Sequence, residues 1–182
     1  MVSNEKTKKE EKEGKEKMGE VNLKEYVFYS GYIGLKGATI DYAANKHKTK
    51  VNKELIKKRV ERDGEEHHIT LITKKELEII LLQLKEYDKE KYDSIKITHV
   101  ASFLMKLFVS SVKNDWFDVG LGRVVDGDNE AFFVVVSFDS LNDWRRNVLG
   151  LDFRDIHITL GFQTCDIHNQ KKDKSTLVEN CN

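Results

Sequence analysis

The stretch Asp155-Ile156-His157-Ile158-Thr159-Leu160-Gly161-Phe162 decides how this chain is read, and the earlier stretch His67-His68-Ile69-Thr70-Leu71-Ile72 repeats its centre. Both contain the tetrapeptide His-Ile-Thr-Leu. Successive side chains of a β-strand point to opposite faces, so His157 and Thr159 share one side while Ile156, Ile158, Leu160 and Phe162 fill the other. The first copy divides in the same way, with His68 and Thr70 on one face and Ile69 and Leu71 behind it. Two such strands predict two imidazoles and two hydroxyls presented to one cleft.

The totals set the frame around these strands. A length of 182 residues with 39% hydrophobic content suits one globular unit with a real core. Lysine plus arginine (31) equals aspartate plus glutamate (31), so no overall basic field announces a duplex nucleic-acid binder, and any nucleic-acid contact must be local. Cys165 and Cys181 form neither a disulfide framework nor a zinc-type pair and are expected as free thiols. No apolar run approaches the roughly 20 residues that span a bilayer, and the first residues lack the apolar segment of a signal peptide. The expected location is cytoplasmic or nuclear, with no membrane partner.

Residues 1–20 hold six Lys and six Glu and almost nothing apolar, so they are expected to be a disordered charged head. Residues 21–166 read as the folded domain and 167–182 as a loose polar tail. Tyr26 to Leu35, aromatic and glycine-punctuated, reads as a first core strand. Lys36 to Lys50 is polar and unassigned. Asn52 to Val60 offers a short helix that Asp63-Gly64 ends, and Thr73-Lys-Lys-Glu76 is a capping-box signature opening a helix through Leu84. Residues 94–113 remain open between helix and strand. Phe117 to Val125 and Ala131 to Phe138 read as an antiparallel hairpin about Asp126-Gly127-Asp128-Asn129. Ser140 is expected to cap a short helix that Gly150 closes. This order predicts an α+β fold with two lobes, two small antiparallel sheets facing each other and helices outside.

A histidine pair across a cleft suits general acid and general base work, because an imidazole titrating near pH 6.5 both gives and takes a proton at neutral pH. The two threonine hydroxyls are suited to donate hydrogen bonds to the non-bridging oxygens of a phosphate. The scheme calls for no metal and no cofactor. His67, adjacent to His68, points the other way and is expected to be packed or solvated. A zinc site from His67, His68, His99 and His157 is disfavoured, because neighbouring strand histidines cannot converge on one point. Tyr29 or Tyr32 could stack on a base, against the plainer reading of core tyrosines. Arg145 and Arg146 could touch phosphates, against the plainer reading of a solvated helix face.

The two motifs His68-Ile69-Thr70-Leu71 and His157-Ile158-Thr159-Leu160, 89 positions apart in strand-rich halves, resemble the paired motifs of the 2H phosphoesterase superfamily. The resemblance spans roughly residues 21–165, and the Phe117 to Gly122 strand, the hairpin and the helix before the second motif fit its layout. It implies a bilobal fold with pseudo-twofold internal symmetry and metal-independent chemistry on RNA ends or cyclic phosphates. By it, His68 and His157 would be catalytic and Thr70 and Thr159 would bind the substrate phosphate. The expected activity is hydrolysis of a 2′,3′-cyclic phosphate by a monomer. The alternatives are a 2′-5′ or 3′-end RNA phosphodiesterase and a catalytically silent RNA- or nucleotide-binding module.

Overall fold

The computed structural model describes residues 25–178, so the expectation for residues 1–20 lies outside the described residues. Among the described residues six strands and six helices follow one another, with a last 3-10 turn at Lys174–Thr176. The strands are β1 (Tyr26–Tyr29), β2 (Ile33–Lys36), β3 (Ile69–Ile72), β4 (Phe117–Asp126), β5 (Asn129–Ser137) and β6 (Ile156–Phe162). The helices are α1 (Ala38–Lys48), α2 (Lys53–Asp63), α3 (Lys74–Tyr87), α4 (Lys89–Tyr92), α5 (Ile97–Ser111) and α6 (Asp139–Leu149). Two three-stranded antiparallel sheets form, in the orders β1-β2-β3 and β4-β5-β6, which is the expected α+β architecture. In each sheet the motif strand lies at an edge, and β3 and β6 run close to one another where the sheets meet.

Local signals explain most elements. The Thr73 hydroxyl accepts from the Glu76 backbone N–H at 3.3 Å while the Glu76 carboxylate accepts from Thr73 N at 2.8 Å, so the capping box at the start of α3 is complete. Gly127 turns the β4–β5 hairpin with φ 59°, and Gly150 ends α6 in the left-handed region with φ 64°. Helix α1 fills the stretch left unassigned, burying Ile40, Ala43, Ala44 and His47 at helical spacing. The open region 94–113 contains α5, which buries Val100, Ala101, Leu104 and Phe108.

Three expectations are corrected. Tyr26 to Leu35 is not one strand but the hairpin β1–β2: the Ser30 N–H donates to the Tyr32 carbonyl at 2.9 Å, and Gly31 takes φ 74°, which a glycine adopts at no steric cost. Ser140 does not cap α6; its hydroxyl donates to the Lys113 carbonyl and the Asp115 carboxylate, and Phe138 occupies the cap position. Residues 167–178 are not loose. Ile167 and Lys172 are each only 3% exposed, and the Val178 N–H donates to the Leu121 carbonyl. An apolar anchor at Ile167 and a lysine with a buried carboxylate partner hold this strap against the second sheet.

The halves of the chain pack across one another. Helix α2, from the first half, lies on β6 so closely that a Cβ at Gly161 would sit 2.7 Å from the Leu55 carbonyl carbon and 2.9 Å from Ile56 N. Helix α6, from the second half, sends Arg145 to β3 and α3. The main core joins both sheets, with Leu55, Ile69, Leu71, Leu141, Trp144, Ile158 and Leu160 in one cluster. A smaller cluster of Phe133, Val135, Phe162 and Ile167 lies under the strap. Because the atoms facing Gly161 are helix backbone and cannot rotate aside, Gly161→Ala is expected to cost about 1–3 kcal/mol in denaturant unfolding. An unchanged midpoint would show that α2 shifts freely.

Candidate active site

The two motif strands deliver their polar faces to one cleft of about 830 Å³, whose walls include His68, Thr70, His157, Thr159 and Tyr32. Burial along β6 alternates as the sequence predicts, with Ile156, Ile158 and Leu160 inside and His157 and Thr159 half-buried on the other face. Phe133 and Val135 are the cross-strand partners of Thr159 and His157 and belong to the apolar cluster beneath the strap.

The second motif sits in a closed polar network. His157 donates from Nδ1 to the Asp155 carbonyl at 3.2 Å, because a carbonyl only accepts. Its Nε2 lone pair then faces the Lys172 ammonium at 3.2 Å. Lys172 donates also to Asp166 Oδ1 at 2.5 Å, and the Thr159 hydroxyl donates to Asp166 Oδ2 at 3.1 Å. The His157 ring lies edge-on to Phe133, with centroids 5.7 Å apart. Burial, reinforced by the Lys172 charge and opposed by Asp166, lowers His157 to about 3. Burial pulls Lys172 below its ordinary value against the attraction of Asp166. Burial would raise Asp166, but Lys172 and the neighbouring histidines together hold it below its ordinary value.

The first motif has different company. His68 Nε2 is 3.2 Å from the Tyr32 hydroxyl, and the two rings are tilted with centroids 5.3 Å apart. Phe28 stands edge-on to His68 at 6.0 Å. Burial lowers His68 to about 4, with Asp63 opposing and Lys36 and Arg62 adding to the fall. Thr70 lies on the cleft wall, paired across the sheet with Gly34. The adjacent His67 turns the other way, as alternation requires. It donates from Nδ1 to Asp41 at 2.7 Å, and Arg59 donates to its Nε2 at 3.0 Å. Arg59 also donates to the carbonyls of Gly64 and Glu66, which fixes the chain just before His68.

Of the two tyrosines considered for base stacking, Tyr32 lines the cleft from the β1–β2 turn, while Tyr29 packs against the core. Arg145 is neither a phosphate contact nor a solvated residue: 1% exposed, it donates to the Leu71 carbonyl at 2.8 Å and to Glu76 Oε1 at 2.6 Å. Arg146 is exposed on the other side of α6. A third His-x-Thr triplet, His47-Lys48-Thr49, ends α1, where His47 meets Asp118 at 2.9 Å. Its helical context separates it from the strand motifs. Among the described residues no group of three or more His, Cys, Asp or Glu side chains could hold a metal ion, and no helix is long and apolar enough to cross a membrane. Sequence reasoning missed Asp166 and Lys172, and it missed Arg62, Lys74, Lys75 and Arg154, which put positive charge on the cleft wall. Ile167 and Leu177, apolar residues in a largely polar run, were the signals that the strap docks.

Two facing antiparallel sheets with a His-Ile-Thr-Leu strand at each meeting edge define the class of the 2H phosphoesterases. A family model described as Swiss Army Knife, 2H phosphoesterase domain (2H-SAK), matches residues 31–168, most of the chain, and the protein belongs to that family. No curated protein and no solved structure matches it.

The lowered histidines tie the site to stability. Histidine unfolds to a pKa near 6.5, so His68 and His157 bind protons more readily in the unfolded chain. Their contribution is complete above about pH 6.5 and is lost as pH falls toward their folded values, at about 1.4 kcal/mol per pH unit for each histidine. Urea midpoints are therefore expected to drop between pH 7 and pH 5, and His68→Gln is expected to flatten that drop. An equally steep drop in the variant would show that His68 is not held neutral.

Proposed function

We propose that this chain is a metal-independent phosphodiesterase that opens a 2′,3′-cyclic phosphate on an RNA end or small nucleotide. The observation that carries the reading is that both His-x-Thr pairs line the same cleft, although they lie on strands of different sheets. In the reaction one neutral imidazole takes a proton from water as its oxygen bonds to phosphorus, and the other, which takes up a proton from solvent when the anionic phosphate binds beside it, gives that proton to the ribose oxygen that leaves. Thr70 and Thr159 donate to non-bridging oxygens, where charge builds in the transition state. For Thr159 this means exchanging its bond to Asp166 for one to the phosphate. Tyr32 lines the cleft wall, which supports assigning it, rather than Tyr29, to pack against a base.

The cleft's size and the positive charge of Lys74, Lys75 and Arg154 along it favour a second reading, in which the substrate is a longer 2′-5′ or 3′-terminal RNA linkage. All the proposed residues come from one chain, which suits a monomer, and RNA substrates suit a cytoplasmic or nuclear location. Incubation with 2′,3′-cyclic nucleotides and with 2′-5′ dinucleotides in excess EDTA, followed by chromatography, separates the readings. Turnover of the cyclic substrates is expected. Loss of activity in EDTA with recovery on added zinc or manganese would overturn the metal-independent scheme. Binding without turnover of any substrate would make the chain a silent nucleotide-binding module.

His68→Ala and His157→Ala are each expected to lower the rate by about 10² to 10⁴ while the fold persists. Near-normal turnover in either folded variant would remove that histidine from the mechanism. Thr70→Val and Thr159→Val keep the β-branched shape and delete the donor, so a loss of about 10- to 1,000-fold is expected with little change in pH optimum. Intact turnover in the double threonine variant would reduce both residues to strand formers.

A further inference from the structure

The two motifs are identical in sequence but meet different partners. His68 faces a phenol, Tyr32, which can give or accept a hydrogen bond. His157 faces an ammonium, which can only give. Lys172 lies in the strap, beyond residues 31–168, where the family model ends.

We propose that Lys172, held in place by Asp166, is a positioning residue that fixes His157 as the proton acceptor of the pair, leaving His68 as the donor. The deduction follows from donors and acceptors alone. The Asp155 carbonyl claims the Nδ1 hydrogen of His157, and the Lys172 ammonium claims the Nε2 lone pair. Both bonds are made together only by a neutral ring with its hydrogen on Nδ1, and such a ring presents a lone pair, the attribute of a base, to the cleft. Asp166 anchors the ammonium at 2.5 Å, and the Lys172 N–H donates to Asp155 Oδ2 at 3.0 Å, so the lysine is held at both ends of its residue. The side chains of Lys172 and Asp166 are each 3% exposed, so solvent does little to screen the pair. Phe133 lies 5.2 Å from the ammonium and closes its remaining side.

The other charged groups around His157 do not reproduce this effect. Arg154 and Asp155 precede β6, Arg62 and Asp63 face the cleft from the end of α2 paired to each other at 2.6 Å, and His168 lies on the strap. None of them is hydrogen-bonded to Nε2 of His157. On substrate arrival the lone pair must exchange Lys172 for a water proton. The ammonium, still held by Asp166, then stands beside the imidazolium that forms and favours release of its proton to bulk water, which restores the neutral ring.

The catalytic half of this proposal rests on the phosphodiesterase reading, and the test keeps the two apart. Ring ¹⁵N–¹H correlation spectra of the full chain report the tautomer and titration of His157 without any substrate. The wild-type ring is expected as the Nδ1–H tautomer, neutral through pH 5. Lys172→Met is expected to raise its titration midpoint by about one pH unit or more, whereas Lys172→Arg keeps it near the wild-type value. Lys172→Gln still donates to Asp166 without carrying charge, and it replaces the Met variant if that does not fold. In the pH profile of kcat/KM, the acid limb is expected to move with the His157 midpoint in the Met or Gln variant. A His157 midpoint unchanged in these variants, an Nε2–H tautomer in the wild type, or an acid limb that follows the His68 midpoint would overturn the proposal. Absence of phosphodiester turnover in the wild type would instead overturn the functional reading, with the ring spectra still deciding whether Lys172 positions His157.

Discussion

The buried guanidinium of Arg145 is the constraint on which the arrangement depends. It leaves α6 in the second half of the chain and reaches the Leu71 carbonyl on β3 and the Glu76 carboxylate on α3, both in the first half. Burial alone would raise the Glu76 carboxyl, and the hydrogen bonds from Arg145 and Thr73 outweigh it and bring the net value down. The same carboxylate completes the capping box on Thr73, the residue that directly follows β3. One ion pair therefore sets where the first motif strand ends and how it faces the second. Removing one partner of such a pair leaves an uncompensated buried charge, and for that reason cores retain these pairs once they exist.

Around that clasp the two lobes exchange helices. Helix α2 lies on the backbone of β6 at Gly161, and α6 reaches β3 through the Arg145 side chain, so each sheet is tied to a helix of the other half. Between the sheets, β3 and β6 hold their polar faces toward the same cleft while Ile69, Leu71, Ile158 and Leu160 join a common core. Each histidine is enclosed enough that burial is the first cause of its lowered pKa, yet each lines the cleft. The asymmetry lies in the partners, a neutral phenol on one side and a charge-paired lysine on the other.

Much of this was legible in the sequence because it is local. The alternation in Ile156 to Leu160, the capping box at Thr73 and the turn at Gly127 are each specified by residues a few positions apart. The hairpin β1–β2 was hidden because aromatic residues on both sides of Ser30-Gly31 extend the strand pattern through the turn. Helix α5 was ambiguous because Phe103 and Val109, both exposed, break the apolar stripe that would have marked a helix. Arg145 and Lys172 were unreadable for a different reason. A charged residue in a polar run is ordinarily solvated, and only its distant partner, Glu76 for one and Asp166 for the other, makes burial favourable. His67 shows the same limit from the opposite side: alternation placed it away from the cleft, but nothing local disclosed Asp41 and Arg59 as its partners.

The strap after β6 changes what counts as the unit of this fold. A chain cut just after His168 would retain all six strands, both His-Ile-Thr-Leu motifs and the residues recognised at the family level, yet it would leave the buried Asp166 carboxylate without its Lys172 partner. Domain boundaries drawn from motifs alone therefore fall inside the site's charge balance. The electrically complete piece is defined by where the last compensating charge lies, and it extends to Lys172.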